Sequence, residues 1–367
     1  MIINEQELLD ILYKAESVFL FEPNYVRKYP PLGLLKIAAF LDTMQIPVAY
    51  DRYYTGFPCD VVCISSLFTY DLQDVLNAIN EIKAYNFNPK IIVGGVCATL
   101  LHEMFPKDIY VFKGYSKTLD SLCLDFKRFT FKLEKYWNKF AFIFTSRGCP
   151  SKCKYCAISK LEPDEWINPY WVGQIKNSNK KYIMISDNNI TTKPAHFYDL
   201  IRLLVKKDLK VIIDNGLDCK HITVELAVAL GQVKFEQYGI RLAFDRIGEE
   251  TKFKHAICML TDKIAKPKFM IYVLFNFNDT FKEAHYRANV CKKLGVTPFP
   301  QQYVPLDWTS RTELHVDKNW TPNLLRVFRS YWRNKQIYNS VSINSYVKSN
   351  NLFNLTEEEK CIIKEAE

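Results

Sequence analysis

The chain contains 367 residues, of which 48% are apolar and 24% charged, and its formal net charge is +9. This composition excludes a disordered or collagen-like chain and predicts a globular protein of one large or two mid-sized domains. The longest apolar run, Phe269 to Phe275, is much shorter than the roughly 18 residues of a membrane helix, and Met1 to Lys14 lacks a signal-peptide layout. We therefore expect a cytoplasmic protein, with no membrane partner, whose positive charge favours anionic partners.

Residues 1–126 alternate short apolar runs with helical patterns, which is typical of a parallel α/β sheet. The predicted elements in chain order are strand 17–21, helix 34–44, strand 48–50, strand 61–65, helix 72–82, strand 90–93 and strand 109–112. This order predicts a small flavodoxin-like or Rossmann-like domain. The connection from Tyr50 to Val61 is too short for the helix usually found at that place.

Small residues end several of these strands, at the edge where parallel sheets bind their ligands. They are Ser65, Ser66 and Leu67 after the third strand, Gly94 and Gly95 after the fourth, and Gly114 after the last. Such residues either let a bulky ligand approach the backbone or form tight turns. Both interpretations remain open at this point.

The chain has 11 cysteines, an odd number that indicates free thiols or metal ligands rather than a disulfide framework. Eight are scattered and are interpreted as small buried side chains. The other three, Cys149, Cys153 and Cys156, form a C-x3-C-x2-C motif on a stretch that Gly148 and Pro150 can curl into a loop. Three thiolates can hold a [4Fe-4S] cluster and leave one iron open, whereas zinc would need a fourth ligand nearby.

The motif, with Tyr155 before its third cysteine, resembles the signature of the radical S-adenosylmethionine (SAM) enzymes. The resemblance implies that Cys149, Cys153 and Cys156 bind a [4Fe-4S] cluster and that SAM binds to its open iron. Reductive cleavage of SAM would then yield a 5′-deoxyadenosyl radical that abstracts hydrogen from the substrate. It also implies that Tyr155 packs beside the adenine and that an electron donor such as flavodoxin or ferredoxin is a partner.

Residues 1–126, with the segments 30–35 and 114–116, resemble the cobalamin-binding domain that precedes many radical SAM domains. The resemblance implies cobalamin contacts at Ser65, Ser66, Leu67, Gly94, Gly95 and Gly114. The loop 22–27 lacks the D-x-H-x-x-G motif of other cobalamin proteins, so it offers a corrinoid no histidine ligand. Whether this chain binds cobalamin is therefore left open.

The part after the motif alternates strands and helices. The predicted strands are 140–145, 182–186, 210–214, 239–244, 268–275 and 297–303, and the predicted helices are 195–206, 221–230, 249–260 and 280–294. Six such strands resemble the partial (β/α)6 barrel of the family, with reacting groups at the strand carboxyl ends. The predicted domain order is a cobalamin-binding-like domain 1–126, a linker 127–140, a barrel 141–307 and a helical extension 308–367.

The barrel resemblance assigns strand-end residues to the cofactor and the substrate. Those assigned to SAM are Asp187, Asn188, Arg241, Val273 and Leu274, and those assigned to the substrate side are Asp214, Asp245, Gln302 and Tyr303. The alternatives are a helix cap or turn for 186–189, and structural pairing for Asp214, Arg241 and Asp245. The aromatic residues after Trp320 predict a packed lid in preference to a stacking platform for bases.

These patterns predict a radical SAM enzyme that carries out cobalamin-dependent methylation or radical rearrangement of a small-molecule, peptide or nucleoside substrate. One alternative is a cobalamin-independent enzyme that abstracts hydrogen and retains a vestigial cobalamin domain. The other is a non-enzymatic iron–sulfur protein that binds nucleic acid through its positive charge.

Overall fold

The computed structural model describes residues 1–23, 30–85, 87–127, 137–350 and 353–367. In these residues the chain is an α/β protein with two six-stranded parallel sheets, as predicted at that level. It divides into two compact units, Met1–Met184 with Leu306–Glu313, and Ile185–Pro305 with Leu314–Glu367. Residues 24–27 of the predicted first loop and 128–136 of the predicted linker lie outside the described residues.

Strands and helices alternate along much of the described chain. The strands are β1 (Ile2–Ile3), β2 (Val18–Phe21), β3 (Val48–Asp51), β4 (Val61–Ser66), β5 (Lys90–Gly95), β6 (Tyr110–Phe112), β7 (Phe140–Ile143), β8 (Ser146–Arg147), β9 (Trp166–Ile167), β10 (Tyr182–Ile185), β11 (Lys210–Leu217), β12 (Lys234–Ala243), β13 (Phe269–Phe275) and β14 (Thr297–Gln302). The helices are α1 (Glu5–Tyr13), α2 (Leu32–Thr43), α3 (Leu72–Lys83), α4 (Val96–Leu100), α5 (Lys117–Asp120), α6 (Ile158–Leu161), α7 (Trp171–Asn177), α8 (Pro194–Lys206), α9 (Val224–Leu230), α10 (Glu250–Thr261), α11 (Phe281–Lys293), α12 (Pro322–Arg333), α13 (Lys335–Ser340), α14 (Ile343–Lys348) and α15 (Glu357–Glu365).

The first sheet has the strand order β1-β6-β5-β4-β2-β3, and its pairs are parallel. Five of its strands agree with the sequence prediction, and no helix lies between β3 and β4, as their short connection predicts. The edge strand β1 and the helix α1 were not predicted. α1 begins with a capping box in which Asn4 and Glu7 each bind the other's backbone N–H.

Both faces of the first sheet are covered by helices. Successive strand residues point to opposite faces, so each strand contributes to both cores. On one face Phe19, Phe21 and the alternate residues of β4 and β5 pack against α3 and α4. On the other face Val18 and Leu20 pack with residues of α1 and α2. This explains why the strands appear in the sequence as continuous apolar runs rather than as an alternating pattern.

The second sheet has the order β14-β13-β12-β11-β10-β7, so neighbours in the sheet are neighbours in the chain. β12 begins at Lys234, earlier than the predicted residue 239, because Lys234 and Phe235 already pair with Lys210 and Val211 of β11. The pairing is irregular between Val211 and Ile213. A Cβ at Gly239 would lie 2.7 Å from the carbonyl oxygen of Val211. Glycine is therefore required where the two strands approach each other.

The tail after β14 is helical, and its aromatic side chains are buried. Phe328 packs 4.6 Å from Phe275 of β13 and 5.9 Å from Phe281 of α11, measured between ring centroids. Trp320 packs on the same two rings and donates its indole N–H to the carbonyl oxygen of Asp279 at 2.9 Å. The prediction that these rings pack within the protein is confirmed, and rings buried in this way cannot stack on bases. In the described part of the chain, no helix has both the length and the apolar character to cross a membrane.

We expect Gly95→Ala to destabilise the protein. The φ of Gly95 is +115°, and a Cβ there would collide with the carbonyl group of Ser66. The loss should be about 2 kcal/mol or more in the free energy of unfolding, measured by urea denaturation. The matched control is Gly173→Ala in α7, whose Cβ would meet nothing within 4 Å; it should be neutral or stabilise by up to about 1 kcal/mol. Equal effects of the two variants would contradict this account of Gly95.

Candidate functional site

The three cysteines of the motif lie on one loop whose two ends are held together. β7 leads into β8, and β8 pairs with β9 in a short antiparallel ladder. The residues between these paired strands, 148–165, are named here the cysteine loop. Cys149, Cys153 and Cys156 are partly exposed on it, and Cys156 donates its backbone N–H to the carbonyl oxygen of Cys153 at 3.0 Å. The ladder thus brings all three thiols into one short, closed segment.

The first residue of the cysteine loop must be glycine. Gly148 has a φ of +78°, and a Cβ there would collide with the carbonyl oxygen of Asp164 at the other end of the loop. Its backbone N–H donates to Glu162 Oε2 at 2.8 Å. The backbone next to Cys149 is therefore fixed both by close packing and by a charge-assisted hydrogen bond.

Arg147 precedes this glycine and is buried. Its Nε and Nη2 donate to the two carboxylate oxygens of Asp120 at 2.6 and 3.1 Å, and its Nη1 donates to Glu162 Oε1 at 2.6 Å. The guanidinium carbon lies 3.5 Å from the ring centroid of Phe144 and 5.2 Å from that of Tyr115. Such a two-pronged pairing on an aromatic face fixes the orientation of the side chain.

Lys36 of α2 completes a buried group of two cations and two anions. It pairs with Asp120 and lies 4.6 Å from the ring centroid of Phe144. We name Lys36, Asp120, Arg147 and Glu162 the charge cluster. Because its formal charges cancel and each charge has a partner, it can exist in the interior, although burial of single charges is costly.

The pKa values of the cluster depend on burial and on its internal charges. Burial lowers the pKa of Lys36 from 10.5 to about 8, and the negative charge of Asp120 opposes this shift. For Asp120, burial alone would raise the pKa, but the neighbouring Lys36 and Arg147 hold it below its ordinary value. Asp120 is therefore ionised at neutral pH and holds both cations.

Two amides anchor the backbone of Asp120 from the other side. Asn168 Nδ2 and Gln174 Nε2 donate to the carbonyl oxygen of Asp120 at 3.0 and 2.6 Å, and Gln174 Nε2 also donates to that of Leu122 at 2.7 Å. The chain that follows β9 is thus bound to the backbone of α5, whereas Arg147 is bound to the side chain of Asp120.

The donor set of the cysteine loop fits an iron–sulfur cluster by its chemistry, since three thiols on one loop are typical cluster ligands. As positioned, however, no three His, Cys, Asp or Glu side chains among the described residues come together as a site for a metal ion. The thiols would have to draw together around a cluster, and the partial exposure of all three leaves them accessible for this.

In the second unit, the polar residues after β10 hold the neighbouring strand end. Asn215 Nδ2 donates to the carbonyl oxygen of Ser186 at 2.7 Å and lies 3.5 Å from Asn188 Oδ1. Asp187 is fully buried. The predicted SAM residues Asp187 and Asn188 therefore lie at a strand end, as expected, while Tyr155 belongs to the cysteine loop of the first unit.

Arg241 and Asp214, assigned from the sequence to SAM and substrate, form a buried ion pair with each other. The Tyr272 hydroxyl lies 3.0 Å from Arg241 Nη1 and donates to the carbonyl oxygen of Asp214 at 3.2 Å. These contacts join the neighbouring strands β11, β12 and β13. Of the two interpretations for this pair, structural pairing is the one with contacts in the described residues.

A buried arginine that sequence reasoning missed organises the next strand ends. Arg287 of α11 donates to the carbonyl oxygens of Phe244 at 3.1 Å and Leu274 at 2.7 Å, and it pairs with Asp279. Burial raises the pKa of Asp279 to about 6, against the opposing effect of Arg287. The backbone N–H of Leu274 also donates to Asp245 Oδ1 at 3.1 Å.

The remaining assigned residues of this unit have internal contacts. Val273 is fully buried in β13. Gln302 Oε1 lies 3.5 Å from Arg329 Nη1, and the Tyr303 ring packs edge-on against Phe277 at 4.6 Å. Tyr303 also accepts a hydrogen bond at its carbonyl oxygen from Asn276 at 3.1 Å.

The small residues assigned to cobalamin pack against one another. The Ser66 hydroxyl donates to the carbonyl oxygen of Gly94 and accepts from the N–H of Ala98, both at 2.9 Å. The missing side chain of Gly95 makes room for the backbone of Ser66 itself. These three assigned residues therefore join the ends of β4 and β5 to α4, which is the tight-turn interpretation.

The other residues assigned to cobalamin lie next to Ser66 in the sequence or bind α4. Gly114, with a φ of +80°, donates its N–H to the Thr99 hydroxyl at 2.9 Å. Ser65 and Leu67 are partly exposed.

Neither protein-family models nor curated proteins show a match to this chain.

Sequence reasoning found the cysteines and missed the charge cluster that holds their loop. Lys36 and Asp120 lie 84 residues apart, and Asp120 and Arg147 lie 27 residues apart, so no local spacing connects them. One signal was present: Arg147 stands between a buried strand and an obligatory glycine, where a charged side chain needs a buried partner.

We expect Lys36→Met to change how stability depends on pH. In folded protein Lys36 loses its proton near pH 8, whereas its ordinary pKa is 10.5. Between these values the unfolded chain binds one more proton, so this lysine makes the free energy of unfolding rise with pH. Urea denaturation at about pH 7.5 and about pH 9.5 should give a smaller rise for Lys36→Met than for wild type and for the exposed control Lys117→Met. Equal slopes in all three proteins would contradict the burial of a charged Lys36.

We expect Glu162→Gln to weaken the contacts that hold the two ends of the cysteine loop together. The amide can still accept the N–H of Gly148, but Arg147 loses one of its two carboxylate partners. Because a buried charge is left partly uncompensated, the free energy of unfolding should fall by about 2 to 3 kcal/mol. Glu103→Gln, at a carboxylate that is 88% exposed, is the control and should change it by less than about 0.5 kcal/mol. A loss no larger than the control's would rule out this role of Glu162.

Proposed function

We propose that this protein is a radical SAM enzyme whose cysteine loop carries a [4Fe-4S] cluster and which abstracts a hydrogen atom from an organic substrate. The observation that carries the proposal is the cysteine loop itself. It presents three cysteines at C-x3-C-x2-C spacing after a buried strand. Its two ends are held together by the ladder of β8 and β9, by Gly148 and by the charge cluster. These contacts fix the two ends of the loop and leave the three thiols partly exposed between them, which supports a loop that receives a cluster.

In this proposal Cys149, Cys153 and Cys156 are the cluster ligands. When bound, the cluster and SAM supply the radical chemistry, which amino-acid side chains cannot provide. Arg147 and Glu162 hold the loop backbone in place for the ligands. The assignment of Asp187 and Asn188 to SAM stays a prediction from the family resemblance.

The strand orders support the same proposal. Without β1, the first sheet has the strand order β3-β2-β4-β5-β6. When these five strands are renumbered along the chain, the order is 2-1-3-4-5, which is the flavodoxin-like order. The second sheet has its six strands in sequential order, as a partial (β/α)6 barrel requires. Fold alone does not determine function, so these orders add to the cysteine loop and do not replace it.

The second candidate is cobalamin-dependent methylation, and the flavodoxin-like strand order favours it. The contacts of Ser66, Gly94 and Gly95 with one another favour the cobalamin-independent reaction, because they account for these small residues without a ligand. We therefore place hydrogen abstraction first. The substrate class, a small molecule, peptide or nucleoside, follows from the family resemblance, and the formal charge of +9 favours an anionic one.

A non-enzymatic protein that stacks nucleic-acid bases is less well supported. The aromatic side chains of the tail, which would supply the stacking surface, are buried, among them Phe328, Tyr331 and Trp332. Without such a surface, charge alone remains as the argument for nucleic acid.

The test is cluster content and SAM cleavage in Cys153→Ala. Wild-type protein reconstituted without oxygen should hold about four irons per chain and, with dithionite, convert SAM to 5′-deoxyadenosine. Cys153→Ala should lose the visible cluster band and the cleavage. The matched control is Cys258→Ala in α10, which should keep both. This cysteine is exposed, as are Cys123 and Cys361, so the expectation that all eight scattered cysteines are buried was wrong for these three. Unchanged iron content in Cys153→Ala would rule out the ligand assignment.

The products separate the two reactions. Formation of 5′-deoxyadenosine alone supports hydrogen abstraction, whereas 5′-deoxyadenosine together with S-adenosylhomocysteine supports methylation. If wild-type protein with a full cluster leaves SAM intact, the proposed enzyme class is wrong.

A further inference from the structure

The first sheet has one edge at which a ligand of such a sheet would bind. β2 and β4 are neighbours, but the chain continues from β2 to β3 on one side and from β4 to β5 on the other. In open parallel α/β sheets, ligands bind outside the carboxyl ends of the strands at this change of direction. The loop after β4, residues 67–71, lies at that place.

The side chains of this loop already have partners. The ring of Phe68 stacks on Tyr70 with a centroid distance of 4.9 Å. Asp71 is buried, and Arg311 pairs with its Oδ1 through Nη2 and through Nε at 2.8 Å. Arg311 Nη2 also lies 3.2 Å from Asp74 Oδ2, and its guanidinium carbon is 5.9 Å from the ring centroid of Tyr70. One arginine, 240 residues away in sequence, thus reaches three residues of this edge.

Arg311 belongs to a short segment that is part of the first unit. Residues Leu306–Glu313 group with Met1–Met184, whereas the residues on both sides of the segment belong to the second unit. Within it the Ser310 hydroxyl accepts the backbone N–H of Glu313 at 3.0 Å, which closes a turn around Arg311. The segment is therefore docked on the first unit and is not merely a connection.

The pair between Arg311 and Asp71 is costly to break because the carboxylate is buried. Asp71 is only 1% exposed, and its second oxygen has no hydrogen-bond partner among the described residues. Removal of Arg311 would leave a buried carboxylate without its main cationic partner, which is unfavourable. The docked segment is therefore the favoured state of this edge.

We propose that the ligand edge of the first sheet is the docking site of the chain's own segment 306–313, fastened by Arg311 to Asp71, and that this edge binds no corrinoid. The packing of Ser66 against Gly94 and Gly95 agrees with this, since it uses internally the small residues that a corrinoid would need. The inference is independent of the iron–sulfur proposal, because it concerns only contacts within the first unit.

The buried thiol of Cys97 is chosen as the reporter, because it lies near Asp71, the residue to which Arg311 fastens the segment. Cys97 lies in α4 and is inaccessible, and its pKa is raised to about 12 by burial and by the nearby charge of Asp71. Cys63, buried in β4, reports unfolding of the whole sheet instead. The measurement is the rate at which a maleimide labels each cysteine in native full-length protein, located by mass spectrometry.

In Arg311→Ala we expect Cys97 to be labelled about tenfold faster than in wild type, with the rate at Cys63 unchanged. The matched control is Arg202→Ala, at an arginine that is 71% exposed, which should label as wild type does. An unchanged Cys97 rate in Arg311→Ala, or an equal increase at Cys63, would overturn the docking proposal.

Corrinoid binding tests the second half. Wild-type protein incubated with hydroxocobalamin and desalted should retain less than about a tenth of an equivalent, as judged by its visible spectrum. Retention of about one equivalent by wild type would overturn the exclusion. Iron content measured on the same sample is a separate readout, so a failure of the cluster proposal is distinguishable from a failure of this one.

Discussion

The buried pairing of Arg147 with Asp120 and Glu162 is the interaction on which the candidate site depends. It binds the residue before the cysteine loop to α5 and to the far end of the loop. Lys36 adds the second cation, so the charges cancel and can stay buried. Because Glu162 also binds the N–H of Gly148, one carboxylate positions both the arginine and the loop backbone. The two ends of the loop that carries the three cysteines are thus held by buried charged residues.

The same principle operates at the edge of the first sheet. There Arg311 compensates the buried Asp71, and Gly95 permits the close approach of Ser66 that links β4 to α4. In the second unit, Arg241 with Asp214 and Arg287 with Asp279 bind the ends of neighbouring strands. At all these places an arginine with several donors connects backbone segments that are distant in sequence. Such pairs favour one arrangement strongly, because breaking them leaves a buried charge.

The cysteine loop and the edge of the first sheet differ in whether their polar groups remain available to a cofactor. At the cysteine loop the charged residues hold the backbone and leave three thiols partly exposed, which suits a site that receives a cofactor. At the edge of the first sheet the polar groups are bound to each other or to the docked segment. A cofactor is therefore proposed for the cysteine loop alone in the first unit, and the chemistry proposed is that of a radical SAM enzyme without a corrinoid.

Local sequence patterns were sufficient for the α/β class, for five strands of the first sheet and for the strands and tail helices of the second unit, because apolar runs and helical spacing depend on near neighbours. The C-x3-C-x2-C motif likewise identified its loop without any fold. The patterns missed β1, the ladder of β8 and β9, the early start of β12 and the charge cluster, since these depend on residues that are not near neighbours in the chain. They also left open whether Asp214 and Arg241 serve a ligand or each other. Only folding brings such groups within a few ångströms, and a charge is assigned its partner by burial rather than by spacing.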